Sequence, residues 1–169
     1  MTDIYKQCNL ILNEINLFSK EMVYLGPPIE DNRVEIFEKQ IGFNLPSDFK
    51  YIIKIHNGIS LAGTQFLGID KELRGSSLEQ VYKFEHFEVT NKMPVEFMPF
   101  SPDGAGNHYC LNLNKMKENL CPVVFWQSDL NYNNNEVEEC NNTFIEWLKE
   151  VMIEWTLDDY NYDGTEKLG

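Results

Sequence analysis

Three histidines, four cysteines and a band of carboxylates are the side chains here whose types could do chemistry. His108 and Cys110 stand two residues apart, so on an extended strand they share a face. With Cys121 they have the makings of a Cys–His nucleophile or a metal site. No second ligand pair at a recognisable spacing supports either. His56 and His86 fall within helical patterns, and Cys8 and Cys140 are far from the rest. With no C-x-x-C pair, the cysteines are expected to be free thiols acting as small apolar side chains. Nucleophile elbows, phosphate loops and H-E-x-x-H are all missing, and Gly104-Ala105-Gly106 opens a strand rather than a helix. The expectation is no catalytic centre, no metal and no cofactor.

The carboxylates point elsewhere. Asp103, Asp129, Glu136, Glu138 and Glu139 flank apolar runs in polar loops. Together with Asn107 and His108 in the glycine turn, and with Trp126 and Tyr132 as aromatic anchors, they form a candidate surface for a basic protein. Tyr109 is a further possible anchor. The plainer reading is solvated loop charge, with Trp126 in the core because it ends an apolar strand. Fourteen basic against twenty-seven acidic residues give a net charge of −13. That charge repels phosphate backbones, so direct nucleic-acid binding is not expected, and it attracts basic partners. No apolar run of about 18 residues suggests a membrane span, and the N-terminus lacks signal-peptide features, so a cytoplasmic protein is expected.

The elements that must position these residues are legible from periodicity. Residues 97–127 carry two apolar runs, FMPF and PVVFW, around a Pro-Asp-Gly-Ala-Gly turn and the alternating run His-Tyr-Cys-Leu-Asn-Leu. Tyr109, Leu111 and Leu113 point one way, Cys110 and Asn112 the other. The pattern predicts three antiparallel strands. Ile4, Cys8, Ile11, Leu12, Ile15 and Phe18 predict a first amphipathic helix, fading near Lys20. Asp31 or Asn32 is positioned to cap a second helix, with Val34, Phe37 and Ile41 as its stripe and Gly42 as its end. Pro46 opens a third helix with Phe49, Ile52 and Ile53 on one face, Ser47 and Asp48 in its first turn, and Asn57-Gly58 as its stop.

A strand is expected over 66–69. A short helix should follow the capping box Ser77-x-x-Gln80, with Val81, Phe84 and Phe87 as its apolar residues. Residues 128–142 read as a long loop, too polar to pack. A second capping box, Thr143-x-x-Glu146, starts a closing helix in which Phe144, Leu148, Val151 and Trp155 form a stripe. Helices, strands and a closing helix in this order argue an α+β single domain, mainly an antiparallel sheet packed by N-terminal helices and a C-terminal helix.

The ordered combination resembles the SUKH superfamily of bacterial toxin-immunity proteins and fungal cell-wall-synthesis regulators. Residues 34–58, VEIFEKQIGFNLPSDFKYIIKIHNG, are similar to its opening E-x-x-L-G-x-x-LP motif that ends in NG. Residues 97–113 are similar to its P-(I/F)-x-x-x-G-x-G-(D/N)-x-(Y/F)-x-L core, with Asn107 where many members have Asp. Residues 122–126 are similar to P-V-(V/Y)-x-W, and Phe144 opens an F-x-x-(F/W)-L helix. The resemblance implies a core over about 29–156, an N-terminal helix extension over about 1–25 and an acidic tail over 157–169. It also implies a non-catalytic protein that binds and neutralises a cognate polymorphic toxin, commonly a basic nuclease. A regulatory or scaffold module for an endogenous partner is the alternative, and a small hydrolase is a more distant third.

Overall fold

Apolar spacing dictates the first three helices. In the computed structural model, which describes residues 3–70, 75–130 and 137–168, α1 spans Ile4–Ile15 and buries Cys8, Ile11, Leu12 and Ile15. α2 spans Asp31–Ile41, buries Val34, Phe37 and Ile41, and ends on Gly42 at φ 77°, a left-handed position that suits glycine. Its N-cap is Glu30 rather than Asp31 or Asn32. Asp31 lies in the first turn, where its charge complements the helix dipole. α3, Ser47–Ile55, follows Pro46 and buries Phe49, Ile52 and Ile53.

Two antiparallel sheets follow. The first joins β1 (Val23–Leu25), β2 (Ile59–Leu61) and β3 (Thr64–Phe66) in that order. The strand expected over 66–69 is instead a hairpin turning at Ala62-Gly63, both at positive φ. β1 lies where sequence spacing offers only a fading helix; three residues are too few to show a period. The second sheet has the order β4 (Phe97–Pro102), β5 (His108–Asn112), β6 (Val123–Trp126) and β7 (Glu138–Asn141). β7 corrects the reading of 128–142 as all loop. It pairs Phe125 with Glu138 and Val124 with Glu139. Such an edge strand is held by backbone bonds and needs no apolar alternation, and outward charge discourages further pairing there.

The faces of β5 separate as its alternation predicts. Leu111 joins the main core, whereas Cys110 joins Met93, Phe97, Val124 and Trp126 in a smaller buried cluster. α4 (Leu78–Lys83) packs Leu78 and Tyr82 into the main core, and its π-helical continuation, Phe84–Glu88, reaches the smaller cluster, where the Glu85 carbonyl accepts the Met93 N–H at 2.9 Å. The Ser77–Gln80 capping box forms in full. Beyond it the apolar expectation inverts: Glu85 and His86 are buried, while Phe84 and Phe87 are 50% and 61% exposed. The wider π turn changes the angular step, and buried partners described below hold Glu85 and His86 inward.

The closing helix runs through α5 (Phe144–Trp147), a π-helical stretch Leu148–Glu154 and α6 (Trp155–Asp159). Thr143 caps it by accepting the Glu146 N–H at 3.2 Å, while the Glu146 carboxylate reaches back to the Asn142 N–H at 3.0 Å. After Asp159 the chain folds back on α1. Tyr162 packs on Phe18 with ring centroids 4.8 Å apart, and its hydroxyl donates to Glu14 at 3.0 Å.

Asn57 explains the Asn-Gly signal at the end of α3. Its side chain donates to the Ile69 carbonyl at 2.6 Å and accepts the Ile69 N–H at 2.8 Å. Gly26 and Gly68 press against its backbone: a Cβ on Gly68 would lie 2.6 Å from the Asn57 carbonyl oxygen. Gly68→Ala is therefore expected to cost about 3 kcal/mol, because backbone rather than a flexible side chain must move. Gly42→Ala meets nothing within 4 Å and should cost about 1 kcal/mol for its left-handed backbone alone. Urea unfolding of both variants checks this; equal losses would contradict it.

Candidate partner-binding surface

The structure divides the candidate residues into three groups. The first is the turn between β4 and β5. Asp103 accepts the Ala105 N–H at 2.7 Å, the Asn107 N–H at 3.0 Å and the Asn107 side-chain amide at 2.8 Å. Burial opposes ionisation of Asp103, but these bonds and the nearby His108 outweigh it, so its carboxyl lies below the ordinary value. Asn107 also accepts the Ser128 N–H at 3.1 Å. An aspartate at 107 could not donate to Asp103, which accounts for the amide there. Both side chains shape the turn. Asp129 is exposed nearby, next to the Ser128 and Leu130 carbonyls that accept from Asn91.

The second group is buried. His108 is 5% exposed and Trp126 1%, so neither is open to a partner, and Trp126 takes the core place that its apolar strand also suggested. Their pairing across β5 and β6 points both into the smaller cluster. His108 Nε2 lies 3.0 Å from the equally buried Glu85 Oε1 and donates to it. Burial pushes the His108 pKa down, and Glu85 only partly offsets this. His86 places Nδ1 2.7 Å from the Tyr82 carbonyl and Nε2 3.0 Å from the Pro94 carbonyl. Cys110 is fully buried, which raises its thiol pKa well above the ordinary value. A protonated thiol packed against Met93 is no nucleophile. Burial likewise pushes Cys121 up to about 12.

The third group faces solvent at the β7 edge. Tyr109, Phe125 and Glu138 lie side by side across β5, β6 and β7, and the Tyr109 and Phe125 rings are 4.9 Å apart. With Glu150 and Trp155 of the closing helix they line a groove of about 250 Å³. An acidic pit of about 170 Å³, lined by Glu139, Glu146 and Glu150, adjoins it. Asn141 lines both and donates to Glu150 at 3.1 Å. Lys115 pairs with Glu139 at 3.0 Å. Burial, then the charges of Glu138 and Glu150 among others, hold Tyr109 up at about 12 and Cys140 at about 11. Aromatic walls beside carboxylates are an arrangement that binds cations.

Glu138 and Glu139 thus enter the groove, and Tyr109 with them. Phe125, Glu150 and Trp155 escaped sequence reasoning. Trp155 belongs to an i, i+4 stripe on paper, but the intervening π turn rotates it outward to 48% exposure. Tyr132 and Glu136 lie outside the described residues.

Among the described residues, no helix is long and apolar enough to cross a membrane. The family whose sequence model matches the chain is the SMI1 / KNR4 family (SUKH-1), over residues 28–150. Among solved structures, the chain is similar to a crystal structure of a protein from Pseudomonas syringae pv. tomato. The TM-score is 0.60 at 14% identity, covering 85% of this chain and 96% of that one. At that identity the likeness concerns the fold.

Proposed function

Since this chain belongs to the SMI1 / KNR4 family (SUKH-1), we propose that it is a non-catalytic immunity protein that binds and neutralises a cognate, basic toxin domain, a nuclease in the first instance. The contact surface is the β7 edge with the closing helix: Glu138 and Glu139, supported by the turn at Asp103 and Asn107 and by Asp129. The observation that carries this reading is the groove itself. In a chain of charge −13, it places Glu138 and Glu150 beside the exposed Trp155. Basic toxins that grip phosphate present complementary charge.

The test takes any toxin domain encoded beside this gene and measures its inhibition. One equivalent of the protein should abolish toxin activity and form a one-to-one complex. A Glu138→Lys/Glu139→Lys double variant should slow association about tenfold at low salt, with less effect at high salt. Undiminished toxin activity at stoichiometric protein sinks the proposal. The alternative, a regulatory or scaffold module for an endogenous partner, is favoured by one observation: the exposed Phe84 and Phe87. Capture of that partner from toxin-free cells, lost in a Phe84→Ser/Phe87→Ser variant, would favour it.

A further inference from the structure

We propose that the groove between β7 and the closing helix receives an arginine side chain of the basic partner, with the guanidinium against Trp155 and bonded to Glu138 and Glu150. This rests on the reading of the chain as a binder of basic protein and names the group it grips.

The acids here are more than a charged surface. No cation among the described residues lies within ion-pair distance of Glu138 or Glu150, whereas the neighbouring Glu139 already holds Lys115. The aromatic lining gives the groove a shape preference. Tyr109 and Phe125 form one wall at 4.9 Å ring separation, and Trp155 stands exposed on the helix. Asn141 ties the edge strand to one of these acids. It is 8% exposed and lines the groove, and its Nδ2 is committed to Glu150. Its Oδ1 has no hydrogen-bond partner among the described residues.

A guanidinium meets the unpaired acids and the flat aromatic lining together. It is planar and weakly hydrated, stacks on aromatic faces and carries five donors in a fork that matches carboxylates. A lysine ammonium is a compact, strongly hydrated charge and would forgo the flat contact. The groove of about 250 Å³ has the scale of one side chain rather than a drug-sized ligand, for which sites begin at about 300 Å³.

The experiment uses N-acetyl-arginine methylamide and its lysine counterpart as probes, read by the Trp155 indole N–H in NMR spectra of the intact chain. Trp126 and Trp147 are 1% and 0% exposed, so a surface probe reports through Trp155. The arginine probe should give a saturable shift at millimolar concentration, about fivefold tighter than the lysine probe. Glu150→Gln should weaken it about fivefold. Trp155→Phe, followed through the backbone amides of β7, should retain part of the preference for arginine. Thermal melts of both variants should lie close to the parent, because Trp155 faces solvent and the amide oxygen in Glu150→Gln can still accept from Asn141. No saturable shift, equal affinity for the two probes, or indifference to Glu150→Gln overturns the proposal. Toxin capture that is unaffected by Glu150→Gln and Trp155→Ala also overturns it, yet leaves the immunity reading in place. An arginine-selective groove in a protein that captures no toxin supports the groove and removes that reading instead.

Discussion

Asp48→Ala is expected to cost about 2 kcal/mol of stability at pH 7 and about 4 kcal/mol near pH 4.5. The carboxyl is fully buried between two helix starts. One oxygen accepts the Phe49 N–H at 2.8 Å, and the other accepts the Ile145 N–H at 3.0 Å, 97 residues away. Alanine strands both donors, and a buried unpaired N–H costs about 1–3 kcal/mol. The pH dependence follows from burial. Desolvation raises the pKa from 3.8 to about 6, against the pull of the backbone N–H bonds, so the folded state holds this proton more tightly than the unfolded state. Its contribution is therefore fully present below about pH 4 and is lost as pH rises through about 6, a difference of about 3 kcal/mol.

The nearby Cys8 and Cys121 thiols, both raised to about 12 by burial first and by Asp48 second, stay protonated throughout this window. Asp48→Asn keeps the shape without the titration, so urea unfolding of parent and Asp48→Asn at pH 4, 5, 6 and 7 isolates the effect. The parent should lose stability relative to Asp48→Asn as pH rises. A relative gain would mean that the backbone bonds outweigh desolvation.

Phe144→Ala should cost about 4 kcal/mol, a large share of the roughly 5–15 kcal/mol that holds a domain together. Phe144 is fully buried. Its ring centroid lies 4.7 Å from Phe49 on α3, 5.4 Å from Phe66 on β3 and 5.3 Å from Phe100 on β4. One side chain thus joins the closing helix to both sheets and to a helix, so the surroundings cannot collapse into the space it leaves. Chemical denaturation checks the figure, with Trp155→Ala as the exposed comparison, expected within about 0.5 kcal/mol of the parent. A Phe144→Ala loss under about 1 kcal/mol would mean that the hub does not couple the layers.

These two positions show how far local pattern reaches. The apolar periods of α1, α2 and α3 placed their buried faces correctly, because each helix needs only its own stripe to choose a side. The alternation around Leu111 likewise placed β4 to β6. Asp48 was legible as a first-turn acid, which it is. Its bond to Ile145 was not, since nothing local ties a residue to a helix 97 positions on. β7 was missed because an edge strand can be made by backbone pairing under acidic side chains.

The resemblance and the fold class came from the order of the motifs, and both stand in the α+β architecture and the family match. The candidate surface was less legible. Glu138 and Glu139 were named on charge alone, whereas His108 and Trp126 sit inside, one bonded to a buried glutamate and the other at 1% exposure.

By itself, the amino-acid order determined the charge of −13, the helical stripes, the glycine turn at Asp103 and the strand alternation. These are properties of residues within a few positions of one another, where spacing and backbone geometry suffice. Only the tertiary structure decided that Glu138 meets Glu150 and Trp155 across a groove, and that Trp155 faces out while Glu85 faces in. Those outcomes depend on π turns that shift helical phase and on strand pairing between distant segments, neither of which leaves a local period to read.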